Sequence, residues 1–188
     1  MASPVSPWRE ESSRALSQTT TLFHDQFVNI FDTHFRRIFR YLDRLTGEPD
    51  LAADLAQEAF IRLHRRGALP DAPEAWLITV AMNLLRNVKS AESRRRRLLT
   101  VARGARLHSA PPPTPEQALA VNDTDQRVRS AIDRLPERER CLLLLRAEGY
   151  SYGDIAAALK LNEASVGTLL ARARRGFRNE YGNERDAS

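Results

Sequence analysis

The chain has 188 residues, 42% of them apolar, which suffices for one domain or two small ones with real hydrophobic cores and excludes a disordered protein. Its formal net charge is +5 and its isoelectric point is near 10.0. This balance favours a polyanionic partner such as nucleic acid, although many soluble proteins share it. Cys141 is the only cysteine, which excludes an intrachain disulfide and a cysteine-rich zinc site.

No stretch of the sequence predicts insertion into a membrane. The first residues, MASPVSPWREESSR, have no apolar segment behind their charges. The longest apolar run, CLLLL, is far too short to span a bilayer. We therefore expect a soluble protein of the cytoplasm.

The amino-terminal part divides into a tail and a long helix. Residues 1–21 are rich in Ser, Thr and Pro without a regular period, which predicts a flexible tail. From Phe23 onward, apolar residues recur three and four positions apart until Gly47. This spacing predicts a long amphipathic helix that ends at the glycine.

A second helix is predicted between Pro49 and Gly67, because proline suits a first helical turn and glycine suits a helix end. One face of this helix is polar and mostly acidic, with Asp50, Asp54, Gln57 and Glu58. Acids near a helix start suit the helix dipole. The dipole does not explain why so negative a face belongs to a basic protein, whereas a basic protein partner would.

A third helix is predicted from Pro73. Its polar stripe consists of Thr79, Asn83, Arg86, Asn87 and Ser90. Its apolar stripe consists of Leu77, Val80, Ala81, Leu84 and Val88. Amide and guanidinium groups on one face can bind base edges and phosphates, although the same stripe is expected of a solvated face. Trp76 is either a core residue or a platform for an unpaired base. The run Arg94–Arg97 adds charge suited to phosphate contact.

The stretch HSAPPPTP cannot continue a helix, because consecutive prolines remove hydrogen-bond donors and hold the chain extended. It therefore predicts a linker between two helical units. Its last two residues, Thr114 and Pro115, have the pattern of a helix start. Pro136 opens another helix, which Gly149 ends.

A helix-turn-helix is predicted next. Ser151 caps the short helix YGDIAAAL, KLN forms a tight turn, and Asn162 caps a longer helix, EASVGTLLARARRGF. The longer helix has an apolar stripe of Val166, Leu169, Leu170, Ala173 and Phe177. Its opposite face carries Ala164, Thr168, Ala171, Arg172 and Arg175. Small and basic side chains let a helix approach a major groove, so this face is a candidate DNA reader.

The sequence as a whole predicts an all-α protein of two small helical domains joined by a Pro-rich linker, the second with the helix-turn-helix. No convincing run of alternating β-branched residues occurs. The histidines have no partners at a metal-site spacing, and no phosphate-binding glycine loop or activated nucleophile is evident. We therefore expect no catalytic residues, no metal and no cofactor.

Three stretches together resemble an extracytoplasmic-function sigma factor, the smallest class of bacterial initiation factor. They are FDTHFRRIFRYLDRLTGEPDLAADLAQEAFIRLHRR, EAWLITVAMNLLRN and LPERERCLLLLRAEGYSYGDIAAALKLNEASVGTLLARARRGFR. The resemblance covers residues 23–180. It implies two domains: domain two, at residues 22–100, binds polymerase and melts the promoter, and domain four, at residues 115–182, contains the helix-turn-helix. It further implies a linker at residues 101–114 and tails at residues 1–21 and 183–188.

The resemblance also implies roles for particular residues. The segment DLAQEAF matches the part that docks on the β′ coiled coil of RNA polymerase core, which assigns this role to Asp54, Gln57, Glu58 and Phe60. The third helix matches the part that melts the minus-ten element and captures an unstacked base, which implicates Trp76, Asn83, Arg86, Asn87, Arg94 and Arg95. The last helix matches the reader of the minus-thirty-five element, through Ser165, Thr168, Arg172 and Arg175. Its domain also packs on the β flap.

The chain departs from the family pattern in the helix-turn-helix. Lys160 stands at a turn where relatives often have a small residue, and Gly167, Leu169 and Ala171 stand where many carry Lys, Arg and His. Fewer long side chains therefore reach the duplex. The resemblance leaves an anti-sigma protein open as a further partner. Two alternatives remain at this point: a one-component helix-turn-helix regulator and a helical protein-interaction adaptor.

Overall fold

A computed structural model describes the backbone of residues 7–103 and 123–186 and the side chains of residues 22–97 and 124–183. Within these ranges the protein has seven helices and no strand, which confirms the all-α prediction. The helices are α1 Pro7–Thr46, α2 Pro49–Arg66, α3 Pro73–Arg103, α4 Asp123–Asp133, α5 Glu137–Ala147, α6 Tyr152–Leu159 and α7 Glu163–Asp186.

The chain divides into two compact units, Met1–Ala81 and Met82–Ser188, with the boundary inside α3. Because α3 continues to Arg103, it extends into the segment predicted as the linker. The remainder of that segment, with the helix start predicted at Thr114 and Pro115, lies outside the described residues.

In the first unit, α1 packs along α2, and Gly47 and Glu48 join them. Gly47 has φ 73°, a left-handed conformation that glycine adopts without strain, and it ends α1 as predicted. Phe60 on α2 is 2% exposed, with its ring centroid 5.0 Å from that of Phe31 and 6.3 Å from that of Phe27 on α1. Such edge-on aromatic contacts join the two helices.

Helix α1 begins at Pro7, so the helix start predicted near Phe23 is too late. The physical reason lies in the composition of this stretch. Proline is accepted in a first helical turn, and residues 8–17 include Glu, Arg, Ala and Leu, which favour a helix even without an apolar period.

In the second unit, α7 packs against α4, α5 and α6. The core of these helices includes Ala131, Leu135, Leu142, Leu145, Ile155, Val166, Leu170 and Ala173, each no more than 5% exposed. Helix α5 follows Pro136, and Gly149 beyond its end has φ 85°, both as predicted. Helix α7 continues to Asp186, four residues past the predicted end of its domain.

No helix in the described part of the chain combines the length and the apolar character that a membrane span requires.

Candidate functional site

The predicted helix-turn-helix is present as α6, a tight turn and α7. Ser151 and Asp154 form a reciprocal capping box at the start of α6, with the Ser151 hydroxyl accepting the Asp154 amide hydrogen bond at 3.1 Å. The Asn162 side chain accepts from the Ala164 amide at 3.0 Å, which caps α7 as predicted. Between the helices, Lys160 has φ 55° and ψ 53°. The turn therefore requires the left-handed conformation that glycine would adopt more easily.

The two faces of α7 are divided as the sequence predicts. Val166, Leu170 and Ala173 are fully buried. Leu169 and Phe177, which belong to the same predicted stripe, are half-buried. The opposite face is exposed and consists of Ala164, Ser165, Thr168, Ala171, Arg172 and Arg175. An apolar stripe thus anchors the helix and leaves a small and basic surface outward.

The two arginines on this surface differ in their surroundings. Arg172 donates from Nε to Oε1 of Glu139 on α5 at 2.7 Å, while its side chain stays 67% exposed. Arg175 is exposed and makes no hydrogen bond or ion pair with the described side chains. Both can still offer guanidinium hydrogens to an external acceptor.

Tyr152 is a neighbour of this surface that the sequence patterns did not identify. It is 41% exposed at the start of α6. A Cβ added at Gly167 would lie 3.5 Å from the Tyr152 ring, so the ring packs beside Gly167. The Arg146 guanidinium lies 5.7 Å from the ring centroid. The contact between Tyr152 and Gly167 joins residues 15 positions apart on two helices, which no local period could reveal.

An apolar groove of about 470 Å³ also lies in the second unit, beside α7. Its walls come from α4, α5 and α7 and are mainly apolar, with Ile132, Leu143, Leu144, Ala147 and Phe177. Arg146 and Arg174 contribute charge to its lining. A groove of this composition suits an amphipathic segment that carries apolar and acidic side chains.

Helix α3 presents the predicted polar stripe, but the residues that it buries are only partly the predicted ones. Leu77 and Ala81 are buried as predicted, whereas Val80, Leu84 and Val88 are half-exposed. Three residues missing from the prediction are buried instead: Ile78, Met82 and Leu85. Apolar residues cover a broad arc of this helix, so spacing alone did not define which part faces the core.

The groups predicted for the minus-ten element lie along α3. Asn83 and Arg86 are half-buried and contact each other, with Arg86 Nη1 donating to Asn83 Oδ1 at 2.8 Å. Within the second unit, Arg86 Nη2 also donates to the Ala158 carbonyl at 3.0 Å. Asn87 is exposed, Trp76 is half-buried, and Arg94 and Arg95 are exposed.

An ion pair of the second unit lies near these groups and changes the pKa of the Glu137 carboxylate. Lys89 Nζ lies 2.6 Å from Glu137 Oε1. The hydrogen bond and the positive charge of Lys89 lower the pKa of Glu137 below its ordinary value, and the nearby Arg140 and Arg86 add to this effect against the desolvation of the carboxylate.

The acidic face of α2 is exposed. Asp50, Asp54 and Gln57 are exposed and Glu58 is half-exposed. Phe60, which was also predicted to bind polymerase, is buried in the aromatic contacts with α1 and is only 2% exposed. Its packing supports the helix that carries the acidic face. The described residues contain no group of three acidic, His or Cys side chains placed to hold a metal ion.

Comparison with known proteins defines the class to which this arrangement belongs. Residues 30–97 match the family described as Sigma-70 region 2, and residues 125–175 match Sigma-70, region 4. The first match covers the end of α1, all of α2 and most of α3, and the second covers α6 and about the first half of α7. The chain therefore has the two regions of a sigma-70-type protein.

Individual relatives narrow this class. The RNA polymerase sigma-H factor of Pseudomonas aeruginosa is 32% identical, with 73% of this chain and 77% of that protein covered. The ECF RNA polymerase sigma factor EcfG of Rhodopseudomonas palustris is 34% identical, with 70% of each chain covered. The chain belongs to the extracytoplasmic-function sigma factors.

Two further comparisons concern length and fold. The chain spans 58% of the length of the ECF sigma factor SigE of Mycolicibacterium smegmatis, to which it is 31% identical over 78% of its own length. The solved structure of the sigma factor RpoE in complex with the anti-sigma factor NepR, from Bartonella quintana, matches with a TM-score of 0.59 at 22% identity. That match covers 82% of this chain and 96% of RpoE, and it supports the helical fold.

Proposed function

We propose that the protein is a dissociable initiation factor that binds RNA polymerase core and directs it to a restricted set of promoters. The observation that carries this proposal is the presence of two exposed surfaces of opposite character: an acidic face on α2 and a small, basic face on α7. An acidic face repels DNA and suits a basic protein surface, whereas the α7 face suits a duplex. A factor that joins polymerase to promoter DNA needs both.

For polymerase binding, we propose that Asp54, Gln57 and Glu58 contact the β′ coiled coil. Phe60 contributes by packing α2 against α1, which fixes the position of the helix that carries them. The apolar groove beside α7 is the proposed seat of the β flap, because its apolar walls and its two arginines suit an amphipathic acidic segment.

For promoter binding, the proposed minus-ten groups are Trp76, Asn83, Arg86, Asn87, Arg94 and Arg95. Asn83 and Arg86 offer amide and guanidinium hydrogen bonds to an unpaired base, and Arg94 and Arg95 offer charge to phosphates. The proposed minus-thirty-five groups are Ser165, Thr168, Arg172 and Arg175. The absence of long side chains at Gly167 and Ala171 favours a phosphate contact for at least one arginine.

The proposed domains are residues 22–100 and 115–182, which contain the two family matches. The initiation factor has no catalytic step of its own in this proposal, and the polymerase forms the phosphodiester bonds. Action on polymerase and promoter DNA implies a cytoplasmic location. An anti-sigma protein is a further proposed partner, since the solved relative RpoE was crystallised with one.

The test is reconstitution with purified sigma-free polymerase core. We expect the full chain to produce discrete RNA start sites on genomic DNA that core alone does not produce. A one-component regulator would instead bind duplex tightly without polymerase, and an adaptor would support no DNA-dependent activity. Either result would reject the proposed function.

A further inference from the structure

Glu139 is a buried carboxylate placed directly behind the proposed DNA-reading surface. It lies in the first turn of α5, where a negative charge suits the helix dipole, and it is 8% exposed. Its Oε1 accepts the hydrogen bond from Arg172 Nε at 2.7 Å. A carboxylate removed from water is stable only with such a partner, so the pair has a structural reason to persist.

The pair is asymmetric in a way that bears on DNA binding. The Glu139 side chain is 11% exposed, whereas that of Arg172 is 67% exposed. An arginine has five N–H donors in a rigid plane, and this contact uses only the one on Nε. The terminal nitrogens therefore remain available outside, while the bond at Nε restricts the orientation of the plane that carries them.

Gly176 provides the room that this arrangement needs. It lies one turn beyond Arg172 on α7, and a Cβ added there would lie 3.1 Å from Glu139 Oε2 and 3.2 Å from Leu135 Cδ2. A side chain at this position would press on the carboxylate and displace it. The absence of a side chain thus lets α5 and α7 approach closely enough for Glu139 to reach Nε.

We infer that Glu139 is a positioning residue, which holds the Arg172 guanidinium so that its terminal nitrogens meet an acceptor of the upstream promoter duplex. The inference rests on the proposed function, because it requires Arg172 to contact DNA. It predicts a distinctive direction for the change in DNA affinity when Glu139 is removed. A carboxylate near DNA would by itself repel phosphates, so its removal would tighten binding if it only added negative charge. Its removal weakens binding if it positions the arginine.

The experiment is a double-mutant cycle on holoenzyme assembled with polymerase core. The probe is the upstream duplex of the strongest promoter found by start-site sequencing. Its affinity is measured against salt concentration for wild type, Arg172→Ala, Glu139→Ala and the double variant. Glu139→Gln retains an acceptor oxygen, and Gly176→Ala, made both alone and together with Arg172→Ala, changes no charge. Core affinity and unfolding temperature are measured for each variant.

We expect Arg172→Ala to lower duplex affinity about tenfold and to reduce the salt slope by about one if the acceptor is a phosphate. Glu139→Ala should weaken binding in the wild-type background and change it by less than about twofold in the Arg172→Ala background, because the two effects share one contact. Glu139→Gln should restore most of the affinity. Gly176→Ala should weaken binding only where Arg172 is present, which keeps the test valid even if Glu139→Ala does not fold.

Three results would overturn the inference. They are tighter binding by Glu139→Ala or Glu139→Gln, additive losses in the double variant, or unchanged affinity in Arg172→Ala. Each is compatible with a holoenzyme that still initiates at discrete sites. Failure of the proposed function is a separate outcome, because it appears as the absence of start sites with the wild-type chain.

Discussion

The Nε of Arg62 donates a hydrogen bond to Oε1 of Glu58 at 2.9 Å, one turn apart on α2. Both side chains are more than one third exposed. An exposed pair of this kind contributes about 0–1 kcal/mol, because solvent screens it and holding two long side chains costs entropy. Glu58 can therefore exchange or share this partner at little cost when a basic protein surface approaches.

We predict that Glu58→Lys weakens binding to polymerase core by about 2 kcal/mol or more if the contact is desolvated. The new lysine would meet a basic partner surface and would also face Arg62. The measurement is a titration of labelled core with the folded variant. Asp25→Lys is the matched control, because it makes the same charge change at an exposed site on α1. Wild-type affinity for Glu58→Lys would remove Glu58 from the interface.

A second prediction separates promoter opening from assembly. Asn83→Ala removes the amide that Arg86 contacts and that is proposed to bind an unpaired base. Holoenzyme assembly should remain intact while promoter opening falls, since base capture follows polymerase binding. Permanganate footprints and transcript yield on a linear template report this step. The control Asn29→Ala makes the same change at an exposed position on α1 and should match wild type. Normal footprints and yield from Asn83→Ala would refute its role.

The two faces of α7 should respond differently to substitution. Leu170 is fully buried, so Leu170→Ala should lower the free energy of unfolding by about 2–5 kcal/mol through lost burial and a cavity. Arg175 is exposed, so Arg175→Ala should preserve the fold and weaken upstream-duplex binding. Denaturant unfolding and duplex titration of holoenzyme measure the two effects. If Arg175→Ala keeps wild-type affinity, salt slope and base preference, Arg175 does not touch the duplex.

The turn of the helix-turn-helix offers a stabilising substitution. Lys160 has φ 55°, which strains a residue with a Cβ but not glycine. Lys160→Gly should raise the free energy of unfolding by up to about 1 kcal/mol, after the larger entropy of glycine in the unfolded chain is subtracted. Lys160→Ala removes the same charge but keeps the strain, so it should give no such gain. Equal unfolding midpoints for the two variants would show that charge, and not backbone strain, controls stability here.

Local chemistry made much of the fold predictable. Pro49 and Pro136 mark helix starts, Gly67 marks a helix end, and Ser151 and Asn162 cap the helices of the helix-turn-helix as their sequence context indicates. The buried and exposed faces of α7 follow from spacing alone, because its apolar residues form one narrow stripe.

What the sequence did not reveal depends on tertiary contacts. Glu139 meets Arg172 across 33 residues, and the burial of Ile78, Met82 and Leu85 depends on which part of a broad apolar arc meets its neighbours. The burial of Phe60 against α1 likewise depends on the contact between two helices, which its position in the DLAQEAF segment did not predict. The family resemblance led to the proposal that α2, α3 and α7 carry the function, whereas the positions of individual side chains within them required the three-dimensional packing.

The short connection between α1 and α2 has a consequence for the order in which the protein is made. Phe31 and Phe60 are separated by only 29 positions, and contacts so near in sequence form quickly because little loop entropy opposes them. A ribosome adds about 5–20 residues per second, so this helical hairpin has time to close before the carboxy-terminal half is translated. We therefore expect the acidic surface of α2 to be assembled on the nascent chain before the helix-turn-helix exists.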